Sequence, residues 1–488
     1  MAASAPGVYP NAGSAVGRLG EGTRLCCVER CIANLNEGGA LLKHVWLYLS
    51  NLDIETERLQ CLQEGRDLAT LEADFERLAA LDLEDPQNQP AAQALLDATA
   101  RLPIRTDYPY REPSDLEGIR AQRPASRPSL PQRDWDEASL LDRVHGAWTG
   151  RCAGCLLGKP VEGWHRERLQ GLLTAVGRWP LQGYIRYHDL PEAVAQQYGV
   201  DAKAAWADLV EGMPEDDDTN YTTVGLAVMK RYGSRFTPQD VAEFWMSEIP
   251  ILHACTAERV AYRNFCLQIE PPASATFRNP YREWIGAQIR ADFWGYAAAG
   301  KPERAAELAW RDACISHVKN GIYGEMWAAA MIAAAFVAED TRLIVEAGLA
   351  EIPAQCRLAE AVRDVMDWHA SGVGYDDAVD RVHALWNEKR AYDWCHTIPN
   401  AMIVTIGLLW SDGEFGSAIC RAVQAGFDTD CNGATVGSIM GAVSGSDALP
   451  QDWTQILRDT LHTGVAGYHT VRLTDMARST VDVIRRLY

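Results

Sequence analysis

Positive charge is in short supply. The 488 residues hold 46 lysines and arginines against 66 aspartates and glutamates, a formal net charge of −20. Such a field repels phosphate backbones and argues against a nucleic-acid partner. Long apolar runs are missing as well. The longest, Met326–Ala338 and Ala401–Trp410, fall short of the ~20 residues a spanning helix needs, so no membrane partner is expected. The opening residues show neither a basic start nor an apolar core, and the expected setting is cytoplasmic. Cysteine is not scarce, at 13 residues, but a second C-x-x-C to complement Cys152 and Cys155 is absent. That excludes a four-cysteine zinc site, and the thiols, Cys26, Cys27 and Cys31 of CCVERC included, are read as reduced, with the 152–155 pair buried. No internal repeat suggests a solenoid.

Strand alternation is equally scarce. Residues 174–188 are the best strand or hairpin candidate, and nearly everything else reads as helix. The stretch to about Gly17 is rich in small residues, 21–83 has helical spacing, EDPQNQP (84–90) breaks it, and a short helix follows over 91–101. Residues 102–134 then carry Pro103, Pro109, Pro113, Pro124, Pro128 and Pro131, which marks a linker or an arm wrapped over the next unit. A boundary near Arg133 divides a helical extension, 1–133, from a larger all-α domain, 134–488. Within that domain helices are expected at 136–157, 219–232, 321–338, 399–411 and 431–443 among others, and also over 191–211, 451–462 and 470–487.

Two of these helices are striped with glycine, at 146, 150, 154 and 158 and at 433, 437, 441 and 445. Each such glycine costs a helix ~1 kcal/mol against alanine, so a one-faced stripe needs a compensating reason. Close backbone approach is one: the two helices cross each other or a shared neighbour. Independent packing in separate places is the other reading. Antiparallel pairing would carry Glu162, just beyond the first stripe, towards Asp428 and Asp430.

Carboxylates cluster at two helix starts. Glu215, Asp216, Asp217 and Asp218 precede one apolar helix, and Asp428 and Asp430 open another. Helix capping accounts for one carboxylate per helix, and a solvated acidic loop is a further reading of 215–218. Clustered carboxylates otherwise raise each other's pKa unless a cation neutralises them. Oxygen donors without histidine point to a hard ion, Mg²⁺, Mn²⁺ or Ca²⁺, as one ion or as two ~3.5–4 Å apart.

Three motifs, in order along the chain, resemble those of the ADP-ribosylglycohydrolases: GRCAGCLLGKPVEG (150–163), DDDTNYT (216–222) and GFDTDCNGATVGSIMGA (426–442). IGAQIRADFWGY (285–296) and RDACISHVKNGIYGEMWAAA (311–330) are weaker likenesses. The resemblance implies a compact orthogonal multi-helix fold with two Mg²⁺ ions, Mn²⁺ being the alternative. Carried over position by position, it makes Asp216, Asp217, Asp218, Asp428 and Asp430 metal ligands. It places Gly286 and Ala287 against ADP-ribose, with His317 lining the pocket and Arg290 as a phosphate or carboxylate clamp. The catalytic set it implies is Glu162, Asp217 and Asp430, with Glu162 as general base because it is not a primary ligand. The chain departs from the family pattern at Asp216 and Cys431, which stand where ligand threonines are usual, and at Cys155, which replaces an aspartate. The implied reaction is hydrolysis of the C1 N- or O-glycosidic bond of an ADP-ribosyl or related ribosyl compound, on a small-molecule or ADP-ribosylated substrate. An N-ribosidase acting on nucleoside-like metabolites and a non-catalytic ADP-ribose-binding protein are the alternatives. The extension has no counterpart in the minimal family domain; capping the pocket, self-association into a homo-oligomer, and neither of these are the readings open for it.

Overall fold

The computed structural model describes residues 46–487. The stretch to Gly17, the helical reading of 21–45 and the CCVERC cysteines lie outside the described residues. Among the described residues the protein is all-α, with one two-stranded sheet. No described helix is long and apolar enough to cross a membrane.

The two striped helices, Glu137–Gly158 and Thr429–Ser444, run antiparallel through the centre. The match is glycine against glycine. A Cβ added at Gly146, Gly150 or Gly154 would lie 2.4, 2.2 or 1.9 Å from the carbonyl oxygen of Gly441, Gly437 or Gly433. One added at Gly158 would lie 2.3 Å from the carbonyl of Thr429. The glycines thus bring two backbones to a separation that no side chain permits. The first helix is buried from Gly146 onwards and the second from Thr429 to Ala442, and the alanine-rich helix Lys319–Ala335 and the helix Thr397–Leu409 belong to the same core. Of the four glycines in the second stripe, Gly445 stands apart: it ends the helix at φ 80°, where a residue with a side chain is strained.

Four sequence expectations are corrected. Residues 191–211 form only the short helix Glu192–Gln197, because Gly199 turns left-handed and Arg168 captures the carbonyl of Tyr198 at 2.6 Å. Residues 174–188 contain no strand; Tyr184 instead buries its ring and donates its hydroxyl to the carbonyls of Ala153 and Trp453. The helix expected over 451–462 stops at Thr454. After one 3₁₀ turn, Arg458 and Asp459 take positive φ and redirect the chain into the strand Thr460–His462. That strand pairs antiparallel with Thr470–Arg472, so the last helix begins at Leu473 rather than 470.

The extension builds its own small core from Asn51–Gln63, Glu72–Ala79 and Gln89–Thr99, centred on Ile54, Phe75, Leu78 and Leu95. The proline-rich segment is an arm over the larger unit. Arg111 N–H donates to Gln355 O, Trp310 Nε1 to Ser114 O and Ala354 N–H to Gln122 O, at 2.8–2.9 Å. Buried charge joins the two parts as well. Arg282 pairs with Glu57 and Glu64 of the extension, and Arg357 bridges Glu112 of the arm and Glu283. Arg282 and Glu283 lead directly into the 285–290 loop, so the extension holds the base of that loop.

Candidate active site

The antiparallel crossing decides where the acidic segments go. The first striped helix ends at Gly158 and runs through the 3₁₀ turn Lys159–Val161 to Glu162. Because Gly158 has no side chain, Thr429 and Asp430 lie directly against it, and Thr429 Oγ1 donates to Gly158 O at 3.0 Å. The turn before the second helix is made by Gly426 and Phe427, both at positive φ. Trp394 Nε1 donates to Phe427 O at 2.8 Å, and Asn400 Oδ1 accepts the N–H of Asp428, so this unusual backbone is pinned from outside.

The third contributor is the helix Asp217–Tyr232. Asp216 is its N-cap, its Oδ1 accepting the N–H of Asp218 at 2.9 Å. Capping therefore explains one carboxylate and leaves the next two. Arg151, at the middle of the first stripe and fully buried, ties this start in place. It donates to Asp218 O (2.7 Å), Asp218 Oδ1 (3.1 Å) and Ile289 O (2.6 Å), and pairs with Asp292 at 2.8 Å.

Two overlapping groups of donors result. Cys155, Asp216 and Asp218 each offer an atom within 4.8 Å of the others, and so do Asp218, Asp430 and Cys431. Asp218 is 0% exposed and Asp430 3%, yet Asp218 Oδ2 and Asp430 Oδ1 have no hydrogen-bond partner. Buried, unpartnered carboxylate oxygens from different helices are costly unless a cation meets them. The donor set fits a divalent cation; the thiols of Cys155 and Cys431 make it softer than an all-oxygen one. By contrast, a cavity of about 430 Å³ between the arm and the 302–307 and 347–351 segments is lined by Arg120, Arg127, Glu303, Glu307 and Glu351, which pair with one another. It offers no comparable demand for a ligand.

The electrostatics agree with the geometry. Burial, then Asp216 and Asp430, push the Asp217 carboxyl up to about 8. Burial and Asp216 push Asp430 up to about 6. Burial raises Asp218 and Asp428 well above the carboxylate range, with Asp430 adding to both. Asp216 goes the other way: burial would raise it, but the ammonium of Lys159, 2.5 Å from its Oδ2, outweighs that and holds it low. A pH dependence follows. In the folded state Asp217 and Asp430 keep protons that the unfolded chain has lost above ~4. Their contribution to stability is therefore full below that pH and lost as pH rises through about 6 and about 8. In chelator, Tm is expected to fall by roughly 5 °C between about pH 5 and about pH 8.5, and saturating Mn²⁺ should remove most of the fall. A scanning-fluorimetry pH series with and without Mn²⁺ checks this; parallel curves contradict it.

The other expected site residues line a buried wall. A Cβ on Gly286 would lie 2.1 Å from Glu258 Oε1, and Ala287 is fully buried. Arg290 donates to Asp312 Oδ2 and Glu258 Oε1, both at 2.7 Å, to Asp312 O at 3.1 Å and to Gly286 O at 3.4 Å. His317 is fully buried, its Nδ1 2.8 Å from Ser316 Oγ; burial, then Arg290, hold it neutral. This wall joins the acidic cluster through Arg151, which bonds Ile289 O and Asp218 together, and through Glu258, whose charge acts on Asp217. Glu162 is partly buried at the rim and acts on Asp428. Arg151, Lys159, Glu258 and Asp292 were not among the residues expected from sequence. Only the position of Arg151 and Lys159 within the glycine-striped motif could have signalled them.

A family model described as ADP-ribosylglycohydrolase matches residues 136–486. The chain belongs to the ADP-ribosylglycohydrolase family. The match contains both stripes, both acidic segments and the 285–290 loop, and leaves the extension and its proline-rich arm outside. Among solved structures, one described as an "ADP-ribosylglycohydrolase-related protein complex" is similar at 17% identity and a TM-score of 0.42, over 72% of this chain and 99% of that one. No curated protein matches the chain. Within the family match, Cys155 and Cys431 both stand in the acidic cluster of this family member, and Lys159 reaches it from the turn between the stripe and Glu162.

Proposed function

We propose that this chain is a divalent-cation-dependent glycohydrolase that cleaves the C1 N- or O-glycosidic bond of an ADP-ribosyl or related ribosyl compound. The observation that carries the reading is the pair of buried, unpartnered carboxylate oxygens on Asp218 and Asp430, brought together from separate helix starts inside the family match. Asp217 and Asp428 flank them, and Mg²⁺ or Mn²⁺ suits the oxygen majority. A cation there supplies Lewis-acid polarisation and lowers the pKa of water near C1.

The protein's own residues do the rest. Glycosidic hydrolysis passes through an oxocarbenium-like state, in which positive charge grows on the ring. With a cation in the cluster to hold them ionised, the carboxylates of Asp217 and Asp430 would stabilise that charge. Glu162, at the rim and outside the two donor groups, takes the proton of the attacking water. Gly286 and Ala287 offer backbone rather than side chain to the sugar, and the Arg151 network fixes their distance from the acidic cluster. Glu162→Gln is expected to lower kcat by about 10²–10⁴ while thermal stabilisation by Mn²⁺ is retained. Loss of both would remove Glu162 from the proton-transfer role.

A second reading, an N-ribosidase on small uncharged nucleoside-like compounds, is favoured by Arg290. Its guanidinium is committed to Asp312, Glu258 and Gly286 and is poorly placed to clamp a pyrophosphate. A panel of ADP-ribosylated protein, ADP-ribose derivatives and free nucleosides, assayed with and without chelator, separates the readings. Chelator-sensitive turnover of ADP-ribosyl compounds supports the first, turnover of nucleosides alone supports the second, and binding of ADP-ribose without turnover of any substrate rejects both.

A further inference from the structure

The acidic cluster is not symmetrical. Asp218 and Asp430 each carry a buried oxygen with no partner, whereas both oxygens of Asp216 are engaged. Its Oδ1 accepts the N–H of Asp218, and its Oδ2 receives the Lys159 ammonium. Lys159 arrives there by construction. It is the residue after Gly158, where the missing side chain lets the Asp430 backbone come close, and its ammonium reaches Asp216, so it sits where the two acidic segments meet. Its side chain is 23% exposed, which places it at the mouth of the cluster with its charge directed inward. Asp216, Glu162, Cys155 and Asp430 all act on that charge.

We propose that Lys159 is a built-in cation of this site: its ammonium fills the Asp216 half, so the cluster takes one divalent ion, on Asp218, Asp430 and Cys431, in place of two. The inference rests on the reading of the cluster as a cation site and goes beyond it in assigning the ion count and its cause. An ammonium and a divalent ion compete for the same carboxylate oxygens and repel each other across a few ångströms. With Asp216 neutralised by lysine, a second ion in that half would find no free carboxylate of its own, only the Asp218 already shared and Cys155, a thiol that, like Cys431, must lose its proton to bind well. The other half keeps two unpartnered carboxylate oxygens and one thiol. Asp216, placed among the metal ligands by family resemblance, becomes the anchor of the lysine instead.

Native mass spectrometry of the full chain with Mn²⁺ counts the ions, and electron paramagnetic resonance of the same samples separates isolated Mn²⁺ from a spin-coupled pair. One Mn²⁺ with an uncoupled signal is expected for the wild type and for Lys159→Arg, which keeps the charge. Two Mn²⁺ with a coupled signal are expected for Lys159→Met, or for Lys159→Gln should the methionine variant not fold. Two ions in the wild type, or one ion in all variants, overturns the assignment, as does an absence of bound Mn²⁺ throughout. Turnover of the substrate panel, measured on the same wild-type samples, keeps the two questions apart. An active enzyme with two ions refutes the lysine assignment alone, and a one-ion protein inert towards every substrate refutes the catalytic reading alone.

Discussion

Gly437→Leu is expected to prevent the domain from folding. A Cβ at that position would lie 2.1 Å from the carbonyl oxygen of Gly150, and the next atoms of leucine have nowhere to go between two helices already in backbone contact. The neighbours cannot yield, because the obstacle is main chain rather than the end of a flexible side chain. Relief requires the helices Glu137–Gly158 and Thr429–Ser444 to move apart along the whole stripe, which uncovers apolar residues on both. The cost exceeds ~5 kcal/mol, a large part of the stability of an ordinary domain. Gly374→Ala is the control, since the nearest atom to its added Cβ is 3.9 Å away and it lies in no stripe. Soluble yield and circular dichroism check the pair. A well-folded Gly437→Leu protein with an unchanged melt contradicts the close crossing.

Asp218→Asn should be the most damaging isosteric change in the acidic cluster. It preserves shape and the contact with Arg151, which keeps Asp292 as an ionic partner. It removes the negative charge shared by both groups of donors. Turnover is expected to fall by about 10³-fold or more, with loss of Mn²⁺-dependent stabilisation. In chelator the sign reverses: the variant should melt higher than the wild type, because a neutral amide replaces an acid whose ionised form is penalised first by burial and then by Asp216 and Asp430. A purely structural aspartate, engaged only by Arg151, would give the opposite result in chelator. Melting curves with and without Mn²⁺ read both signs at once.

Much of this arrangement was legible in the sequence, for reasons specific to the residues. Glycines spaced by four destabilise a helix unless something approaches closely, so the stripes pointed to a helix crossing, and the crossing carries Glu162 close enough to act on Asp428. Consecutive carboxylates exceed what capping requires, so Asp217, Asp218 and Asp430 stood out. The remainder depended on contacts distant in the chain. Lys159 at a helix C-terminus reads as an ordinary favourable dipole contact until Asp216 is found beside it. Arg151 reads as one polar residue within an apolar helix until Asp218, Asp292 and Ile289 O are found around it. The hairpin Thr460–His462 with Thr470–Arg472 follows two non-glycine residues at positive φ, Arg458 and Asp459, a conformation without a reliable sequence signal. The extension's role at the base of the 285–290 loop rests on Glu57 and Glu64 meeting Arg282, more than 200 residues away in the chain, a pairing that local pattern does not encode.

The central claim is that acidic residues from separate helix starts converge on a divalent cation. Anomalous diffraction from crystals soaked in Mn²⁺ tests it directly. A peak about 2.2 Å from carboxylate oxygens of both Asp218 and Asp430 is the predicted result. Ordered water alone between them, with no manganese signal at saturating concentration, would contradict it.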